Sequence, residues 1–181
     1  MSEWPSMEAI ERERRRLSRR RRRGRVLAAL LGTIAALAVA LALVSTLAVP
    51  LFRVSGDAMS PALKDGDIAA VLKGAPDGTG EVCAFYAEGA ASFARVIARA
   101  GSWVNVDADG YVFVDGQPLD EPYASLSAAG DVEYPRQVPE GMLFVLCDNR
   151  DAAHDSRYDD FGFVSEDAVI GRVIMRFHLP F

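Results

Sequence analysis

Val54-Ser55-Gly56-Asp57-Ala58-Met59-Ser60-Pro61-Ala62-Leu63-Lys64-Asp65-Gly66-Asp67 follows a long uncharged run and opens a region of short, turn-bounded segments. Residues 68–72, 82–86 and 92–97 read as strands, each bounded by clusters of Gly, Asp and Pro. Residues 103–106 and 111–114 flank a turn at Asp109-Gly110, and Asp115-Gly116 marks a second turn. Residues 142–146 and 168–177 complete the set. Helical periodicity is weak throughout this region. The expected fold is mainly β, a twisted antiparallel arrangement of short strands.

Working back from Val54, residues 26–52 carry no charge, and 26–49 are mostly Leu, Ala, Val and Ile. At ~1.5 Å per residue such a helix reaches across a hydrocarbon core of roughly 30 Å. The run is too long, and its flanks are wrong, for a cleaved secretory signal. The net charge of −5 divides sharply: residues 1–25 hold ten arginines against four glutamates, and the remainder holds ten Lys and Arg against 21 Asp and Glu. An Arg block beside a terminus also occurs in nucleic-acid binders. The apolar run that follows makes it the cytoplasmic flank of an anchor instead, and no nucleic-acid partner is expected. The chain divides into an Arg-rich cytoplasmic segment 1–25, a single transmembrane helix 26–49 and an extracytoplasmic β domain 50–181, held in the cell membrane by the bilayer.

The Val54–Asp67 stretch resembles the nucleophile segment of the type I signal peptidases, roughly Gly-x-Ser-Met-x-Pro-Thr-Leu followed by Gly-Asp. Gly56, Met59, Pro61, Leu63 and Gly66-Asp67 match. The family's nucleophilic serine falls on Ala58. The family's lysine segment is matched by Ala94-Arg95-Val96-Ile97, with the lysine on Ala94. In the family a buried, desolvated amine takes the serine proton in place of histidine. Relatives of the endoplasmic-reticulum type carry histidine there, and alanine replaces neither. A third segment, Cys147-Asp148-Asn149-Arg150-Asp151-Ala152-Ala153-His154-Asp155-Ser156-Arg157, is similar to the family's Gly-Asp-Asn-Arg-Asp-x-Ser-x-Asp-Ser-Arg. Cys147 replaces its glycine, and Ala153 replaces the serine that orients the lysine amine. The resemblance implies that Asp148, Asn149, Arg150, Asp155, Ser156 and Arg157 form the scaffold of the site. Residues 110–123, 138–141, 162–164 and 170–172 extend the likeness, which covers about 25–180.

A displaced nucleophile is a poor substitute. Ser60 shares a face with Ala58 in an extended segment, but it lies roughly 6–7 Å along the chain. Errors of about 1 Å already cost catalysis heavily. Lys64 and Lys73 read as solvated surface groups. His154 lies among Asp148, Asp151, Asp155, Asp159 and Asp160, but the spacing fits neither an EF-hand nor a His-x₃-His pair. No metal or cofactor is expected, His154 reads as partly exposed, and His178 as unrelated to the site. Cys83 and Cys147, outside the cytoplasm, form either one disulfide or two buried thiols.

A main-chain N–H at Ala58, with Gly56 and Met59 beside it, would survive as the oxyanion and peptide-binding region whatever the side chain. The family binds its substrate as an extended strand, using main-chain hydrogen bonds that alanine leaves in place. The expectation is therefore a non-catalytic binder of secreted or pilin-type precursors, acting in secretion or surface-fibre assembly beside a sortase or an active signal peptidase. The alternative is an ordinary signal peptidase cutting after Ala-x-Ala. Deliberate silencing of an active enzyme by alanine is a third reading, disfavoured because Ala62, Ala153 and Cys147 depart as well.

Overall fold

A computed structural model describes residues 27–43, 49–87, 89–127 and 130–178. The Arg-rich segment 1–25 lies outside the described residues, as do residues 26 and 44–48 of the expected span. Residues 27–43 are helical and exposed all round. No described helix is long and apolar enough to cross a membrane. The chain divides into two compact units, Met1–Leu47 and Ala48–Phe181.

The second unit is built from antiparallel strands. They are β1 Leu51–Arg53, β2 Ile68–Lys73, β3 Val82–Ala87, β4 Ala90–Arg99, β5 Trp103–Val106, β6 Val112–Val114, β7 Gln117–Pro118, β8 Arg136–Gln137, β9 Met142–Leu146, β10 Val164–Ser165 and β11 Val169–Phe177. One sheet has the order β1-β2-β11-β3-β4-β9-β10, and a smaller one β7-β6-β5-β8. The expected strands at 68–72, 82–86, 92–97, 103–106, 111–114, 142–146 and 168–177 all have counterparts. The strands that composition did not reveal are β1, β7, β8 and β10, each of two or three residues. So short a strand carries almost no alternation to read.

The run Met142-Leu143-Phe144-Val145-Leu146 is apolar throughout because β9 is covered on both faces. Leu143 and Val145 point into one core with Val54, Met59, Leu63, Cys83, Phe85, Ala94 and Val96. Phe144 and Leu146 point into a second core with Ile97, Val104, Val106, Val112 and Val138. The smaller sheet therefore packs on one side of the β4–β9 pair, leaving the other side to the 54–67 loop. A register shift between Val96 and Ala98, where β4 pairs with β9, lets Ile97 and Ala98 both serve the second core.

Candidate functional site

The 54–67 loop is closed at its base by Val54 N–H donating to the Asp67 carbonyl (2.8 Å) and Gly66 N–H donating to the Val54 carbonyl (3.0 Å). Gly56, at φ 82°, occupies the left-handed region that glycine tolerates without strain, and its N–H donates to Asp65 Oδ1 at 2.8 Å. Val54, Met59 and Leu63 anchor the loop in the first core. Asn149 clamps its tip: the backbone N–H donates to the Ala58 carbonyl (2.9 Å) and Nδ2 donates to the Asp57 carbonyl (3.2 Å). The end of β11 braces it from below. Arg176 donates to the carbonyls of Pro61 (2.8 Å) and Ala62 (2.7 Å), and His178 Nδ1 lies 2.8 Å from Asp67 Oδ1. His178, which looked unrelated in the sequence, thus touches the Gly66-Asp67 turn of this loop. Together with the Lys64 N–H, its hydrogen bond lowers the pKa of the buried Asp67 carboxyl.

The 147–157 segment forms the opposite support through buried charges that are each paired. Arg95 on β4 grips Asp148 with Nε (2.8 Å) and a terminal nitrogen (2.6 Å), and its guanidinium stacks 3.9 Å from the Tyr123 ring centre. Arg150 donates to the Cys147 carbonyl (2.8 Å) and to Glu121 (2.5 Å). Arg157 Nε donates to Asp155 Oδ1 at 2.8 Å, and a terminal nitrogen reaches the Arg150 carbonyl at 2.7 Å. Asp155 also accepts from Cys147 N–H at 3.0 Å, and the Ser156 hydroxyl accepts from Val145 N–H at 3.1 Å. These bonds use the polar side chains of Asp148, Arg150, Asp155, Ser156 and Arg157 in holding one segment against β4 and β9. Sequence reasoning missed Arg95 and Glu121 as their partners, because a charged partner far away in the chain leaves no local signal.

Between the two supports lies a cleft of about 320 Å³. Ala58 and Ala94 both line it, together with Gly56, Met59, Cys147 and His154. Phe85, Phe93 and Phe161 supply its aromatic walls. The Phe161 ring meets Phe85 edge-on at 6.3 Å, and His154 stacks on Tyr158 at 4.8 Å. Ala153, in the first core, is buried a residue away from His154. Ser55 and Ser92 line the cleft too, whereas Ser156 is buried within the scaffold. Lys64 and Lys73 are exposed and do not line it. On β4, pairing with β9 begins at Arg95, so the edge over Ala90–Phe93 meets no described strand on that side. Among the described residues, no group of three or more His, Cys, Asp or Glu is placed to hold a metal ion.

Cys83 and Cys147 are free, buried thiols, so the bridge does not form. The registers explain why. Cys83 faces Ala94 across β3–β4, while Arg95 faces Leu146 across β4–β9, which sets Cys147 on the far side of Ala94. Two strand spacings make about 9–10 Å, beyond disulfide reach. Burial pushes both thiols up to about 12, which removes the thiolate that a reactive cysteine needs. Ala94 is therefore walled by two neutral thiols and apolar carbon.

The family model for signal peptidase, peptidase S26, matches residues 26–178. This chain belongs to the signal peptidase I family. A probable signal peptidase I-1 from Synechocystis is 34% identical over 138 residues, covering 68% of this chain and 68% of that protein. Signal peptidase IB of Staphylococcus aureus is 32% identical over 167 residues, covering 80% of this chain and 86% of its own. A crystal structure of a signal peptidase I from Enterococcus faecalis aligns at 30% identity with a TM-score of 0.45, covering 55% of this chain and 97% of that one. In this chain Ala58 and Ala94 share one cleft.

Proposed function

We propose that this chain is a membrane-anchored, non-catalytic signal peptidase I homologue that holds extended segments of secreted or pilin-type precursors. The observation that carries the reading is the pairing of Ala58 and Ala94 in a single cleft. A methyl group has no proton to lose and no lone pair to attack a carbonyl, so neither half of a Ser–Lys dyad is present at these two positions. Binding asks for less. Backbone groups around Gly56 and Ala58, and the β4 edge over Ala90–Phe93, supply main-chain hydrogen bonding that does not depend on the missing side chains. The uncharged run 26–52 behind an Arg-rich terminus supports a single-pass anchor with the β domain outside. The exposed leucines of helix 27–43, including Leu31, Leu37 and Leu41, suit contact with lipid. A sortase or an active signal peptidase would then act on the held precursor.

A second reading, cleavage of signal peptides after Ala-x-Ala, is favoured by the likeness to proteins named signal peptidases. One experiment separates the two: incubation of a lipid-embedded precursor with the purified chain and with its Ala58→Ser/Ala94→Lys variant. We expect no product from the unaltered chain above a no-enzyme blank. The double variant should cleave about 10²-fold or more faster than Ala58→Ser alone, the contribution of a positioned general base. Product from the unaltered chain would overturn the non-catalytic reading.

A further inference from the structure

The charge around the cleft differs from the charge within it. Its lining contains neither lysine nor arginine. Asp57 stands exposed between the lining residues Gly56 and Ala58, and Asp160 stands exposed beside the lining residue Phe161. The two carboxylates thus belong to residues that flank the cleft's lining, one on the 54–67 loop and one on the loop after Arg157. Their existing contacts leave most of their capacity to solvent. Asp57 Oδ1 accepts only a long 3.4 Å bond from the Asp65 N–H, and Asp160 faces His154 Nε2 at 3.0 Å. Asp65 adds a third exposed carboxylate on the loop, and no Lys or Arg pairs with Asp57, Asp65 or Asp160 among the described residues.

The cations nearby are mostly committed elsewhere. Arg176 is bound to the Pro61 and Ala62 carbonyls, Arg95 to Asp148, and Arg136 lies 3.9 Å from Asp159. Lys64 is the one cation within the 54–67 loop. His154 is the titratable group that would temper Asp160 when protonated, and it too faces the cleft. An apolar trough with exposed, cation-free carboxylates beside its lining has a definite complement: an extended chain with apolar residues at its centre and cations at its flanks.

Building on the binding role proposed above, we propose that the cleft selects polypeptides carrying lysine or arginine beside the apolar segment it holds. The trough receives the apolar side chains against Phe85, Phe93 and Phe161, while the flanking ammonium or guanidinium groups reach Asp57 and Asp160. Because these carboxylates are solvent-exposed, the attraction adds selectivity and falls with salt.

The test is fluorescence-anisotropy binding of three labelled synthetic peptides to the full chain in lipid nanodiscs. All three share one Ala-x-Ala core, flanked by Lys-Lys, Ser-Ser or Glu-Glu. We expect the Lys-flanked peptide to bind about fivefold tighter than the Ser-flanked one, the scale of one good exposed pair. The Glu-flanked peptide should bind weakest, and the spread should shrink as salt is raised from about 0.05 to 0.5 M. Asp57→Asn/Asp160→Asn should bring the three affinities together, whereas Asp109→Asn, on a distant turn, should not. Equal affinity for the Lys- and Glu-flanked peptides would overturn the selectivity while leaving peptide binding standing. So would a spread that survives the double substitution. Binding of none of the three would overturn the binding role itself, and the selectivity with it.

Discussion

At the scale of single residues, the floor of the cleft around Ala94 is buried and apolar. Ala94 is 1% exposed, between Cys83 at 0% and Cys147 at 5%. A thiol in such surroundings resists ionisation, and the stability of the domain should record this. In the unfolded chain a thiol ionises near its ordinary value of 9.0, whereas in the folded domain Cys83 and Cys147 hold their protons to about 12. Tyr123 is raised from 10.0 to about 12 in the same sense, by burial and then by Glu121. Between these values the folded state binds more protons than the unfolded state, so stability falls as pH rises. It is fully present below about 9 and is lost progressively towards 12. Urea titrations at about pH 8, 9.5 and 10.5 should show a falling midpoint, with part of the loss removed by Cys83→Ala/Cys147→Ala. A midpoint flat across that range would contradict the buried thiols.

At the scale of elements, β11 holds the large sheet and the 54–67 loop together. It lies between β2 and β3, and its far end supplies Arg176 and His178 to the loop. The crossing is tight at Gly171, which pairs with Lys73 on β2 and Ala84 on β3. A Cβ there would run into the Leu72 carbonyl, part of the backbone, with no flexible side chain to give way. Gly171→Ala should therefore destabilise the domain by about 1–3 kcal/mol, the usual cost of overpacking. The urea midpoint should drop with the slope unchanged. An unchanged midpoint would mean that β11 is freer to shift than its pairing implies. The likeness to the family was legible at this scale from motif order, because each motif is a turn or strand with its own residue signature. The two-faced burial of β9 was not, since a five-residue apolar run has no periodicity to distinguish one covered face from two.

At the scale of the whole chain, charge is divided between the ends of the uncharged run: ten arginines precede it, and the remainder carries the acidic excess. That division predicts the N-terminus inside and the β domain outside. An N-terminal tag should be protected from protease added to spheroplasts while the β domain is digested. The chain should also stay in the membrane pellet after an alkaline carbonate wash. Digestion of the tag in intact spheroplasts would reverse the topology.

The sequence by itself determined what side-chain chemistry alone decides. Positions 58 and 94 are alanine, the 50–181 region is β, and an uncharged run follows an arginine block. Each depends on residue identity or local period, which any single segment carries within itself. The tertiary structure decided what depends on strand register and chain closure. It placed Ala58 and Ala94 in one cleft, and it set Cys83 and Cys147 on opposite sides of Ala94. It also gave Asp148 to Arg95, Arg150 to Glu121 and His178 to Asp67. These partners lie far apart in sequence, and no local propensity encodes which distant strand will lie beside another. Packing chooses the register, and the register chooses the neighbours.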